Sequence, residues 1–148
     1  MSVMKTCGCP PTEATATSGG AVHHVIVNVK DVERAREFYG WLLPRVGYQC
    51  GPEHPKGGGW FSDAGSFWIK AAAPEFAADA FHKDRVGLCE IAFAAVSRAQ
   101  VDTLARDLVA RGATVLDPPR EYDYTPGYYA VFFTDPDGLK LELAHIPG

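Results

Sequence analysis

The stretch His23-His24-Val25-Ile26-Val27-Asn28-Val29 alternates with a period of two. Val25, Val27 and Val29 share one face, and His24, Ile26 and Asn28 share the other. That pattern predicts a strand that packs valines against a helix and turns polar groups toward a cavity. Asp31 is placed to cap a helix over 32–43, in which Ala35, Phe38 and Leu42 form one apolar stripe and Pro44 is the stop. Short strands are expected over 46–50, 60–63 and 66–71, with 51–59 as loop and Ala64-Gly65 as a hairpin turn. The order is β-α-β-β-β.

The same order returns after an alanine-rich linker. Residues 89–96 read as a strand with Ile91, Phe93 and Ala95 on one face and Glu90, Ala92 and Ala94 on the other. Ser97 with Gln100 is a capping-box signature. Val101, Leu104, Ala105 and Leu108 mark an amphipathic helix closed by Arg111-Gly112. A strand over 113–116 precedes a loop that carries Tyr122, Tyr124 and Tyr128. Strands over 129–134 and 139–145 flank the turn Asp135-Pro136-Asp137-Gly138. An offset of 66 lays His24 on Glu90, Asp31 on Ser97, Phe38 on Leu104 and Leu42 on Leu108, and an offset of 72 lays Lys70 on Glu142. Caps and core stripe coincide together, which implies an internal duplication.

Length and composition narrow the classes. The 148 residues suit one domain, expected over 22–146 as module one (22–71), a linker (72–86) and module two (87–146), after a disordered tail at 1–21. A net charge of −4 with no basic cluster argues against a nucleic-acid partner. No apolar run reaches the ~20 residues that span a bilayer, and no apolar leader follows the N-terminus. Four cysteines do not make a disulfide framework, so a cytoplasmic location with reduced thiols is expected. Cys7-Gly8-Cys9 is a lone C-x-C pair without a second pair at ligand spacing.

Several of these features resemble the vicinal oxygen chelate superfamily of glyoxalase I, bleomycin-resistance proteins and extradiol dioxygenases. They are His24 seven places before Asp31, Phe38-Tyr39, Phe67-Trp68-Ile69, Ile91-Ala92-Phe93, Tyr128-Tyr129, and Asp135-Pro136-Asp137-Gly138 followed by Leu141-Glu142-Leu143. The resemblance implies an α+β fold in which paired βαβββ modules form a curved mixed sheet around a cavity. It also implies metal ligands from the first and last strands of each module, which fall here on His24, Lys70, Glu90 and Glu142. A protonated Lys70 cannot bind a metal, which leaves His24, Glu90 and Glu142 as ligands for Fe, Mn, Ni, Co or Zn. Glu142 and Glu90 would then serve as proton-shuttling catalytic groups of a lyase, isomerase or dioxygenase acting on a small oxygenated molecule. In the alternative, Lys70 neutralises Glu90 and Glu142, and the chain is a metal-free binding protein that sequesters a small molecule. Either way Asn28, Trp68, Lys70, Tyr122, Tyr124 and Tyr128 are expected to contact the ligand, and the resemblance implies a homodimer.

Overall fold

Two four-stranded sheets, each covered on one face by a helix, make up the described residues, 19–148 of this computed structural model. Strand β1 (His24–Val29) leads into helix α1 (Val32–Arg45), followed by β2 (Gln49–His54), β3 (Gly57–Ser62) and β4 (Gly65–Ala71). After a 3-10 turn at Pro74–Phe76, the plan repeats as β5 (Ile91–Ala94), α2 (Arg98–Ala110), β6 (Val115–Glu121), β7 (Tyr129–Thr134) and β8 (Lys140–His145). The strand orders are β1-β4-β3-β2 and β5-β8-β7-β6. In each sheet the first and last strands of the module run parallel, and the remaining pairs are antiparallel. The fold is α+β with two open sheets, so β1 and β5 each keep a free edge. Cys7 and Cys9 lie outside the described residues.

Both helices start where their caps are. Asp31 accepts from the Arg34 N–H at 3.0 Å, and Ser97 accepts from the Gln100 N–H at 3.1 Å. The Gln100 side chain reaches back to the Val96 N–H at 2.7 Å. Helix α1 runs to Arg45, carrying Pro44 in its last turn rather than stopping there. Residues 51–59, expected as loop, instead form most of a hairpin between β2 and β3. Bare glycines permit it: a Cβ at Gly59 would stand 2.6 Å from the Trp68 ring, and one at Gly57 would stand 2.3 Å from the Ile69 carbonyl oxygen. Strand β6 also runs further than expected, through Pro118 and Pro119. It lies at a sheet edge, with two register shifts that spare the prolines a ladder hydrogen bond.

The helix-side faces of the two sheets share a single core. Val29, Phe67 and Ile69 from one sheet, Phe93, Leu141 and Leu143 from the other, and Leu42, Leu43, Leu104 and Leu108 from the helices are all buried in it. Phe67 and Phe93 meet across the module boundary with ring centroids 6.1 Å apart. Three hydrogen bonds tie the halves together: Tyr39 Oη to Asp135 Oδ2 at 2.7 Å, the Lys30 N–H to Asp137 Oδ2 at 2.9 Å, and Gln100 Nε2 to the Arg45 carbonyl at 2.9 Å. This packing consumes the valine face of β1 and leaves His24, Ile26 and Asn28 exposed. The outer faces of the two sheets are therefore the surfaces left for a ligand.

Candidate functional site

The outer face of the second sheet gathers most of the candidate residues. Glu142 projects from β8 and is only 2% exposed. Glu90 immediately precedes β5, beside β8. Tyr122, Tyr124 and Tyr128 fold over this face on the loop between β6 and β7, whose ends are joined by the Tyr122 N–H bonding the Tyr128 carbonyl at 3.0 Å. Tyr122 and Tyr124 stack with centroids 5.4 Å apart, and Tyr128 stands edge-on to both. Beneath them Ala130, Phe132 and Ala144 form a small apolar cluster of their own.

The carboxylates are already engaged. The Tyr128 hydroxyl donates to Glu142 Oε1. Glu90 Oε2 lies 2.8 Å from Lys140 Nζ, an ion pair. Burial pushes the Glu142 carboxyl above its usual range; the Tyr128 bond pulls it back in part, and the Glu90 charge pushes it up again. Burial and the bond to Glu142 hold the Tyr128 phenol well above its ordinary range, so it remains a donor at neutral pH. Burial pulls the Lys140 ammonium down, but Glu90 outweighs that and the net shift is upward. Lys140, not Lys70, is thus the cation beside Glu90. The sequence offered a signal for it: Lys140 sits two places before Glu142 and so shares its face. Arg120, over the Tyr122 ring at 3.9 Å, and Phe132 were likewise not anticipated.

His24, Asn28, Trp68 and Lys70 lie on the first sheet. His24 is exposed, with its Nδ1 2.9 Å from that of His23. The Trp68 indole N–H donates to Ser66 Oγ at 2.9 Å, and its ring meets Phe61 edge-on at 5.2 Å. Asn28 and Lys70 are register partners and line a cleft of about 570 Å³ with Phe76 and Phe81 of the linker.

Strand pairing revises the alignment of the two halves. The helix caps make His24 the counterpart of Glu90. Beside them in register stand Ser66 and, continuing the ladder by one step, Lys140. Two residues on come Trp68 and Glu142, so the last strands superpose with an offset of 74, not 72. A tryptophan, rather than Lys70, therefore occupies the place that corresponds to Glu142.

A model of the glyoxalase/bleomycin resistance protein/dioxygenase superfamily matches residues 21–143. The chain belongs to that superfamily. Among relatives of this superfamily member is YqjT of Bacillus subtilis (strain 168), an uncharacterized protein 38% identical over 123 residues, covering 82% of this chain and 96% of YqjT. A crystal structure from Bacillus halodurans superposes with a TM-score of 0.76 at 32% identity, covering 86% of this chain and 96% of that one. A glyoxalase/bleomycin resistance protein from Albidiferax ferrireducens T118 superposes at 0.68 with 30% identity, covering 85% and 98%. The lactoylglutathione lyase of Agrobacterium tumefaciens, at 17% identity and a TM-score of 0.62 over 86% of this chain and 94% of the lyase, shares the fold. Among the described residues, no helix is long and apolar enough to cross a membrane.

Many members of the superfamily use a divalent metal, and the donor set here can be compared with that need. Glu90 faces Lys140 and Glu142 accepts from Tyr128. Trp68 stands where the duplication would put a third donor, and His24 is on the other sheet. Among the described residues, no three His, Cys, Asp or Glu side chains converge as a metal site. The residues of one chain do not fit a resident metal.

Proposed function

We propose that this superfamily member binds a small organic molecule against the tyrosine-covered face of its second sheet, without a resident metal. One observation carries the reading: both carboxylates at the candidate ligand positions already have partners from their own sheet, Lys140 and the Tyr128 hydroxyl. A metal held by both would have to displace Lys140 from Glu90 and the Tyr128 hydroxyl from Glu142. Tyr122, Tyr124 and Tyr128 supply flat apolar area with polar tips, the usual composition of a small-molecule site. The free edges of β1 and β5 favour a homodimer, in which β1 of one copy pairs with β5 of the second and Trp68 of the first sheet closes the cavity over Glu142. In this reading Trp68, Asn28 and Lys70 reach the ligand from the second copy, in a cytoplasmic protein.

The metal-dependent enzyme is the second reading. It is favoured by Glu90 and Glu142 sharing one face of neighbouring strands, where a His24 from the second copy would complete a three-ligand set. Elemental mass spectrometry on untagged wild-type protein and on Glu142→Ala separates the two. Less than about 0.1 equivalent of metal in both, after exposure to Fe(II), Mn(II), Co(II), Ni(II) and Zn(II), is the expected result. One equivalent in wild type that Glu142→Ala loses would overturn the metal-free reading and make Glu142 and Glu90 the candidates for proton transfer.

A further inference from the structure

The cleft of about 570 Å³ on the first sheet is complete within one chain. Its volume lies in the range of about 300–1,000 Å³ usual for small-molecule sites. Three segments line it. The ends of β1 and β4 bring Asn28 and Lys70, which are register partners, and Lys30, two places beyond Asn28. The Ala72 N–H bonds the Val29 carbonyl at 2.9 Å, which carries the pairing one step past both strands before Pro74 turns the chain. The linker then supplies Phe76, Asp79 and Phe81, its turn held by the Asp79 N–H bonding the Phe76 carbonyl at 3.0 Å. Asp137 comes from the turn between β7 and β8, where its Oδ2 accepts the Lys30 N–H.

The charges of this cleft are uncommitted, unlike those of the second sheet. Among the described residues, no ion pair engages Lys30, Lys70, Asp79 or Asp137, and no hydrogen bond engages the Asn28 amide. A ligand therefore reaches them without breaking an existing pair. Two ammonium groups and two carboxylates line one space. A ligand of a single sign would meet two like charges along with two opposite ones, whereas a ligand carrying both signs can set each against its opposite. The aromatic residues supply the rest of the chemistry. Phe81 packs against the shared core, while Phe76 is 59% exposed and offers apolar area that the body of a ligand would cover.

We propose that this cleft binds a small zwitterion of the amino-acid type with an apolar side chain. Its carboxylate is held by Lys70, Lys30 and the Asn28 amide. Its ammonium is held by Asp79 and Asp137, and its side chain lies against Phe76 and Phe81. The proposal goes beyond the reading above and needs no second copy. Where copies do pair, Asn28 and Lys70 are the residues that this cleft shares with the tyrosine-covered face.

The test is calorimetric titration of the full chain with L-phenylalanine and two relatives of the same shape. One is 3-phenylpropanoate, which lacks the ammonium, and the other is 2-phenylethylamine, which lacks the carboxylate. L-Phenylalanine is expected to bind about ten-fold more tightly than either, the scale of one charged hydrogen bond. NMR of labelled aromatic rings is expected to show Phe76 and Phe81 moving. Lys70→Gln should weaken L-phenylalanine and 3-phenylpropanoate but not 2-phenylethylamine, and Asp79→Asn should do the reverse. Both residues are exposed and unpaired, so the melting temperature should hold. Binding of either relative as tight as that of L-phenylalanine overturns the zwitterion. Movement of Tyr122, Tyr124 and Tyr128 in place of Phe76 and Phe81 overturns the cleft and leaves the small-molecule reading of the second sheet standing. No binding of any of the three at millimolar concentration overturns the proposal without bearing on that reading.

Discussion

At the scale of single residues, Tyr39 and Asp135 form a buried hydrogen bond between the two modules. Asp135 is 4% exposed, and its carboxylate accepts from the Tyr39 hydroxyl and from the N–H groups of Asp137 and Leu139. Burial holds the Asp135 carboxyl above its usual range, and those three bonds only partly pull it down. Because the folded value is raised, the stability this group contributes is fully present below its unfolded pKa and is lost as pH rises through the folded one. Tyr39→Phe deletes one of the bonds and raises the folded value further. We expect it to cost about 1–3 kcal/mol at neutral pH and less in acid, where the carboxyl is protonated in both proteins. Urea unfolding across a pH series from 7 downward reads this directly, and a loss that does not shrink as the pH falls would show that Tyr39 acts through packing alone. Glu142 was legible in the sequence through its parity and its position after Asp135-Pro136-Asp137-Gly138. Its partners were not, since a loop tyrosine fourteen residues upstream carries no periodic signature.

At the scale of elements, alternation and caps revealed most of the strands and both helices, because each has one apolar face and a side chain that satisfies the first turn. The hairpin of β2 and β3 escaped for a physical reason. Its sequence, Gly57-Gly58-Gly59, has no side chains to alternate, yet the glycines are what let β3 lie against β4 under Trp68. The same logic distinguishes neighbouring positions. A Cβ at Gly59 would press 2.6 Å from the Trp68 ring, whereas one at Gly58 finds nothing nearer than 3.7 Å. Gly59→Ala should therefore destabilise by about 1–3 kcal/mol through overpacking. Gly58→Ala should be neutral or stabilise by up to about 1 kcal/mol by restricting the unfolded chain. Thermal unfolding of the two variants side by side decides it, and equal effects would mean that Trp68 yields freely. Gly59→Ala should also displace the Trp68 indole, and with it any ligand that this ring covers.

At the scale of the whole molecule, the duplication was legible but the way its halves meet was not. Parity assigns a residue to a face and says nothing about which faces pack together. The structure joins the helix-side faces of both sheets, so Phe93 of β5 touches Phe67 of β4 and Tyr48 before β2. The two modules share one core: Leu42 and Leu43 of the first and Leu141 and Leu143 of the second lie in the same cluster. It follows that the chain unfolds as one unit, as expected for a single core of this size. Phe93→Ala, at a position 7% exposed, should cost about 3–5 kcal/mol. Its signature is where the loss appears. Amide exchange should speed up in β4 and α1 of the first module as much as in β8 of the second, with a single denaturation transition. Loosening confined to 87–146, or two separate transitions, would show that the modules fold independently. In that case a second copy could exchange one module for another, a route to a dimer besides the pairing of the β1 and β5 edges.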